Sequence, residues 1–231
     1  LNFEVIATSV YDAQVAAENG ANRIELVKDI DEGGLTPCYA LIKEVVQAVN
    51  IPVNVMIRPH SYTFCYSERD LLIMTDNIRI VRELGATGIV LGTLNHNHTI
   101  DETALQNLLA AAGKLDVTFH RAFDEVIDQE AALTTLFEFP QVNRVLTSGG
   151  KKSVIQATNQ IKKLRRLTDN NPCNIIAGSG LSIDNVKEFI EETGIKEIHF
   201  GSGVRIGGNA LKPIDPEKVR AIVKVIEALE T

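Results

Sequence analysis

The chain has no excess of positive charge, no long apolar run and too few cysteines for a disulfide framework, and each absence narrows what it can be. Against 30 Asp and Glu stand only 23 Lys and Arg, a formal net charge of −7. A nucleic-acid binder needs a basic face to displace counterions, so this balance argues against nucleic acid as a partner. No apolar stretch approaches the roughly 20 residues that cross a bilayer, so no membrane role is expected. The opening Leu1-Asn2-Phe3-Glu4-Val5-Ile6 lacks a basic leader region and reads as a strand. Three cysteines, widely spaced and odd in number, are expected as free thiols, which points to a cytoplasmic protein.

Several chemistries lack their usual residues. Lys28, Lys151 and Lys152 fall in loops and no lysine falls inside a strand, so a Schiff-base mechanism has no nucleophile. No Gly-x-Gly-x-x-Gly opens a helix after the first strand, which removes the dinucleotide fingerprint. Neither Cys-x-x-Cys nor His-Glu-x-x-His occurs, so zinc is not indicated. His96 and His98 sit one residue apart in a polar loop, with no third ligand nearby in sequence.

What is present is a regular alternation of short β-branched runs and longer amphipathic segments. Strands are expected at Asn2–Ala7, Arg23–Val27, Val53–Arg58, Gly88–Thr93, Asp116–Arg121, Arg144–Ser148, Asn174–Gly178 and Glu197–Gly201. Thr36-Pro37 and Asp215-Pro216 each place a capping residue before a proline, and Ser67-x-x-Asp70 and Ser153-x-x-Gln156 resemble capping boxes. The strands recur at about the length of a βα unit. Eight such units without a linker predict an α/β fold, a single-domain (β/α)8 TIM barrel over residues 1–231, with a doubly wound open sheet as the alternative.

Strand residues that face the helices should be apolar, so polar strand residues are expected to face the barrel interior. Alternation puts Glu4, Arg23, Glu25, Asn54, Met56, Arg58, Thr118, His120 and His199 inside. Buried charges must pair or face a wet pocket. One reading is an ion-pair network that plugs the barrel. The other is a pocket in which Arg58 anchors an anion while Glu25 and His120 serve as acid and base. The two can hold at different depths. Asp124, four residues beyond His120, either caps the following helix or reaches the site.

Two glycine-rich turns stand where barrels often bind phosphate. Strand seven ends at Gly178-Ser179-Gly180 and strand eight at Gly201-Ser202-Gly203. The ligand so implied is a small anion, against the alternative of plain tight turns. Cys38 and Cys65 lie after strands two and three, so neighbouring loops could bring the two thiols together. Soft thiolates suit Cu(I), which makes this pair the candidate metal site beside the reading of ordinary free thiols. A homo-oligomer is left open.

Taken together, Arg23-Ile24-Glu25-Leu26, Glu32-Gly33-Gly34-Leu35-Thr36-Pro37, Ile57-Arg58-Pro59, Phe64-Cys65-Tyr66-Ser67, Thr118-Phe119-His120-Arg121-Ala122-Phe123-Asp124 and Val145-Leu146-Thr147-Ser148-Gly149 resemble the CutC family. The resemblance runs in order along nearly the whole chain. It implies a cytoplasmic TIM barrel linked to copper homeostasis, with inward polar residues corresponding to Glu25, Arg58 and His120. Some CutC-like proteins carry cysteines on or after the first strand, where this chain has Ile6-Ala7-Thr8-Ser9. An enzyme acting on a small anionic or phosphorylated substrate is the competing expectation.

Overall fold

Each of the eight β-branched runs forms a strand, and the strands pair in parallel, in chain order, until the eighth closes on the first. The structure, a computed structural model, describes residues 1–230. The strands are β1 (Asn2–Ala7), β2 (Arg23–Leu26), β3 (Val53–Met56), β4 (Gly88–Leu91), β5 (Asp116–Phe119), β6 (Val142–Thr147), β7 (Asn174–Gly178) and β8 (Glu197–Phe200). Around them lie α1 (Val10–Glu18), α2 (Tyr39–Ala48), α3 (Glu68–Glu83), α4 (Glu102–Ala112), α5 (Gln129–Phe137), α6 (Thr158–Leu167), α7 (Ile183–Thr193) and α8 (Pro216–Glu230). Pairing of β1 with β8, in the register Glu4 to His199, excludes the open sheet. Among the described residues no helix is long and apolar enough to cross a membrane.

The alternation follows from burial on both faces. Val5, Ile24, Leu26, Val55, Ile57, Val117 and Phe119 belong to one buried apolar cluster that takes in Ile42, Ile78, Leu105 and Ile222 from the helices. Each such aliphatic or aromatic side chain contributes about 1.5–3 kcal/mol on burial. Their strand neighbours Glu4, Arg23, Glu25, Asn54, Thr118 and His199 are buried too, on the opposite face.

Two of the helix-start expectations hold and two need correction. Ser67 and Asp70 form a reciprocal capping box on α3, and Asp215 accepts from the Glu217 N–H in the first turn of α8. Thr36 is not the cap of α2, whose first residue is Tyr39 behind Cys38. Its hydroxyl instead accepts the Arg58 N–H at 2.7 Å, and its own N–H donates to the Arg58 carbonyl. Thr36 therefore fixes the end of β3, where backbone polar groups would otherwise go unpaired. Ser153 makes no side-chain cap and opens only a short 3-10 turn; Ser182 and Asn185 supply the box on α7.

Candidate active site at the mouth of the barrel

The barrel interior is layered, and the lowest layer is an ion network. Arg23 bridges Glu4 at 2.5 Å and Glu197 at 2.7 Å, while Arg144 reaches Asp116 at 2.5 Å and Glu197 at 3.4 Å. Arg144 and Glu197 open or border the N-terminal ends of β6 and β8, positions that the alternation argument did not pick out. The pairing satisfies these charges against each other, so this layer plugs the barrel.

Directly above lies a triad of Glu4, His199 and Glu25. His199 Nδ1 lies 2.7 Å from Glu4 Oε1, and its Nε2 lies 3.9 Å from Glu25 Oε2. Burial alone would raise Glu4, but Arg23 and His199 hold it down at about 2, so it stays ionised. Nδ1–H is thereby the donor to Glu4, and Nε2 faces Glu25. Burial works against a charged His199, yet Glu25 and Glu4 keep it above its ordinary value. Burial pushes the Glu25 carboxyl up to about 7, and only the approach of His199 and Arg23 opposes it. Glu25 Oε1 is buried with no hydrogen-bond partner. One oxygen or nitrogen from each of Glu4, Glu25 and His199 lies within 4.8 Å of the others. Glu4 is already committed on both oxygens, to Arg23 and to His199, so two free groups remain, fewer than a zinc site requires.

The upper layer opens into a cavity of about 590 Å³ at the C-terminal end of the strands. Its lining includes Glu25, His199, Met56, Arg58, Phe64, His120, Arg121, Asp124, Lys151 and Lys152. Arg58 is almost fully buried, and its guanidinium donates to the carbonyls of Glu32, Gly34 and Ser61 at 3.1–3.4 Å. Those bonds leave its Nε–H without a partner. Both Arg58 and His120 rest against the Phe64 ring, Cζ 4.7 Å from its centre and the imidazole at 4.9 Å. Phe64 opens the Phe64-Cys65-Tyr66-Ser67 motif in a loop without periodicity, and its residue type alone does not show this contact; its carbonyl accepts the Leu94 N–H, tying that loop to the end of β4.

His120, expected as an acid or base, sits in a setting that favours its uncharged form. Its Nδ1 accepts the Ala122 N–H at 3.1 Å, so the ring proton sits on Nε2, which is buried and donates to no protein group. Burial, then the neighbouring Arg58 and Arg121, lower its pKa to about 3. At neutral pH it is an uncharged donor aimed into the cavity and cannot accept a further proton there. Gly92 makes its position possible, since a Cβ at that residue would stand 2.5 Å from His120 Nδ1.

Asp124 does not cap α5; Asp128 does. It accepts instead from the Thr147 hydroxyl at 2.5 Å, the Ser148 and Gly150 N–H groups at 3.0 Å, and Arg121 Nε at 2.7 Å. It thus clamps the loop after β6 that carries Lys151 and Lys152. Arg121 curls over the rim into this clamp, donating to Asp124 and to the Ser148 hydroxyl.

The glycine-rich turns meet the same cavity. Ser179, Gly180, Gly201, Ser202 and Gly203 line it, while Gly178 lies below, against His199. The Ser179 hydroxyl is spent on the Lys152 carbonyl at 2.8 Å, and the first turn of α7 is closed by its own capping box. Among the described residues, the N–H groups of Gly180, Ser202 and Gly203 have no protein acceptor. Gly203 must lack a side chain, because a Cβ would meet the Leu181 carbonyl oxygen at 2.2 Å.

The cysteines stand apart from this arrangement. Cys38 is exposed at the cap of α2, Cys173 is buried just before β7, and all three thiols are free. Cys65 Sγ contacts the His96 ring, 3.5 Å from Nδ1 and 3.6 Å from Nε2. That thiolate–imidazole donor set suits Cu(I). The loop histidine therefore becomes relevant through its neighbour in space, which sequence spacing alone did not reveal.

Comparison with known proteins agrees with this geometry. The model of the CutC family matches residues 1–204. A CutC family protein of Pasteurella multocida (strain Pm70) is 39% identical over 207 residues, spanning 89% of this chain and 84% of that protein. A CutC crystal structure from Streptococcus agalactiae, described as a copper homeostasis protein, superposes with a TM-score of 0.81 at 32% identity, over 86% of this chain and 98% of that one. Phosphoribosylanthranilate isomerase from Pyrococcus furiosus superposes at 0.63 with 16% identity, over 99% of this chain and 100% of that one, a likeness of fold alone.

Proposed function

The chain belongs to the CutC family, named for copper homeostasis, and we propose that its barrel mouth binds a small phosphorylated anion and moves a proton on it. The observation that carries this reading is a pair of buried, unpartnered groups of opposite character, Glu25 Oε1 and His120 Nε2, on one cavity that Arg58, Arg121, Lys151 and Lys152 line beside the acidic Glu32, Asp124 and Glu125. Such groups cost free energy in the folded state and are retained where a ligand satisfies them. Glu25 is the acid–base residue, with its pKa near working pH. Arg58 and His120 hold polar atoms of the ligand. The Gly180, Ser202 and Gly203 amides, with Lys151 and Lys152, receive its anionic end. Asp124 sets the loop that carries those lysines.

A second reading follows from the Cys65–His96 contact. In it the protein takes Cu(I) as cargo at the rim, with Cys38 as a further thiol. Three free thiols support a reducing, cytoplasmic setting for either reading. A thermal-shift screen of phosphorylated metabolites, run beside Cu(I) titration against a chelator, separates the two. A ligand at one hundred times its Kd stabilises by about 2.7 kcal/mol, a readable shift. The anion reading expects such a shift, lost in Arg58→Ala and retained in Cys38→Ser/Cys65→Ser. Stoichiometric copper binding lost only in the double cysteine variant, with no metabolite shift, would reverse the order.

A further inference from the structure

We infer that the ligand is a phosphorylated hydroxycarbonyl compound and that the cavity catalyses proton exchange at the carbon beside its carbonyl. The inference rests on the anion-binding reading above and adds to it a reaction and a substrate class. It begins with the state of His120. An imidazole whose Nδ1 accepts the Ala122 N–H presents one fixed, uncharged N–H to the cavity. Such a donor cannot act as a base, and it is far too weak an acid to give its proton away. It is suited to an oxygen on which negative charge develops, as a carbonyl becomes an enolate. The Arg58 guanidinium, against the same Phe64 ring, adds positive charge at that place.

The second element is the base. Glu25 is the carboxyl on the cavity whose Oε1 has no partner, whereas Asp124 is fully engaged by its loop. Burial places Glu25 near 7, where it both takes and returns a proton at neutral pH. Behind it, His199 is held by Glu4 at 2.7 Å and faces it at 3.9 Å. Ile6, Val27, Met56 and Leu146 add apolar surface to the same cavity, which favours a carbon chain. At the far side stand the unpaired amides of Gly180, Ser202 and Gly203, placed for a phosphate. A floor base, a wall donor and a rim anion site define a ligand with an acidic C–H, a carbonyl and a phosphate.

The step is self-contained. The C–H bond beside the carbonyl breaks and its proton passes to the Glu25 carboxylate. The C–H electron pair becomes the C=C bond while the carbonyl π pair moves onto oxygen, where His120 Nε2–H donates a hydrogen bond. Return of the proton to carbon restores the carbonyl, so neither oxidant nor reductant is consumed.

The test is deuterium exchange, followed by proton NMR, of dihydroxyacetone phosphate and ribulose 5-phosphate in D2O. Binding of each probe is measured by calorimetry on the same samples. The expected result is loss of the C–H signal beside the carbonyl, slowed ~10²–10⁴-fold in Glu25→Gln and ~10²-fold in His120→Phe. Glu25→Gln should keep probe affinity, whereas His120→Phe, which loses the donor to the carbonyl oxygen, and Lys151→Glu/Lys152→Glu and Gly203→Ala should weaken it. Probe binding that depends on Gly203 and the lysines, without exchange above that of Glu25→Gln, overturns the enolisation step and leaves anion binding standing. If neither probe binds, the anion-binding reading fails and the inference with it.

Discussion

Replacing Glu25 by Gln removes a charge that the fold holds at a cost, and the pH dependence of that cost is fixed by sign. The carboxyl titrates near 7 in the folded protein against 4.5 as its ordinary value. Below the ordinary value both states are protonated and nothing is lost. Between 4.5 and 7 the unfolded chain ionises while the folded carboxyl stays protonated, so stability falls across that window by up to about 3 kcal/mol and is level above it. Glu25→Gln is therefore expected to be more stable than the parent at pH 8.5 and to lose that advantage at pH 4.5, read by urea denaturation. Equal differences at the two pH values would mean that Glu25 is not held neutral by burial. His120, lowered to about 3 from an ordinary 6.5, stays uncharged in the folded protein while the unfolded imidazole is protonated below 6.5, so it costs stability in acid in parent and variant alike and leaves their difference unchanged.

At the scale of elements, the loop after β6 depends on one side chain of the turn after β5. Asp124→Ala leaves the Ser148 and Gly150 N–H groups without their acceptor; Gly150 is exposed and can turn to water, while the buried Ser148 donor left unsatisfied costs about 1–3 kcal/mol. Hydrogen exchange should accelerate at Ser148 and Gly150 while the β1–β2 amides stay protected; unchanged protection would show that the clamp is not what orders the loop. The loops were also where the sequence was least legible. Strand positions and the inward set Glu4, Glu25, Arg58, His120 and His199 could be read because a parallel barrel forces period-2 alternation on runs buried on both faces. Phe64, the Cys65–His96 contact and the hold of Thr36 on Arg58 could not, because each joins separate loops through packing that has no period. The tautomer of His120 could not be read for a related reason: its proton is placed by a backbone N–H two residues on, and local turn geometry is invisible in residue types.

For the molecule as a whole, closure of the barrel and construction of the site are the same event. β1 carries Glu4, β2 carries Arg23 and Glu25, and β8 carries Glu197 and His199, so the triad exists only where the last strand meets the first. Arg23→Met leaves Glu4 and Glu197 buried without their guanidinium and is expected to cost about 3–5 kcal/mol. Glu4, held near 2, contributes stability above its ordinary 4.5 that disappears as pH falls towards 2. The melting temperature of Arg23→Met should therefore fall well below that of the parent at pH 7, and the gap should narrow in acid; a gap independent of pH would separate the network from barrel stability. The family is secure, and copper is tied to it by name; the proposed anion site rests on Glu25 Oε1 and His120 Nε2, two of the buried groups left unpartnered, which line the same cavity. Crystals soaked in phosphate test that most directly. The account predicts an anion on the amides of Gly180, Ser202 and Gly203, within reach of Lys151 or Lys152, and a mouth left empty at saturating phosphate would contradict it.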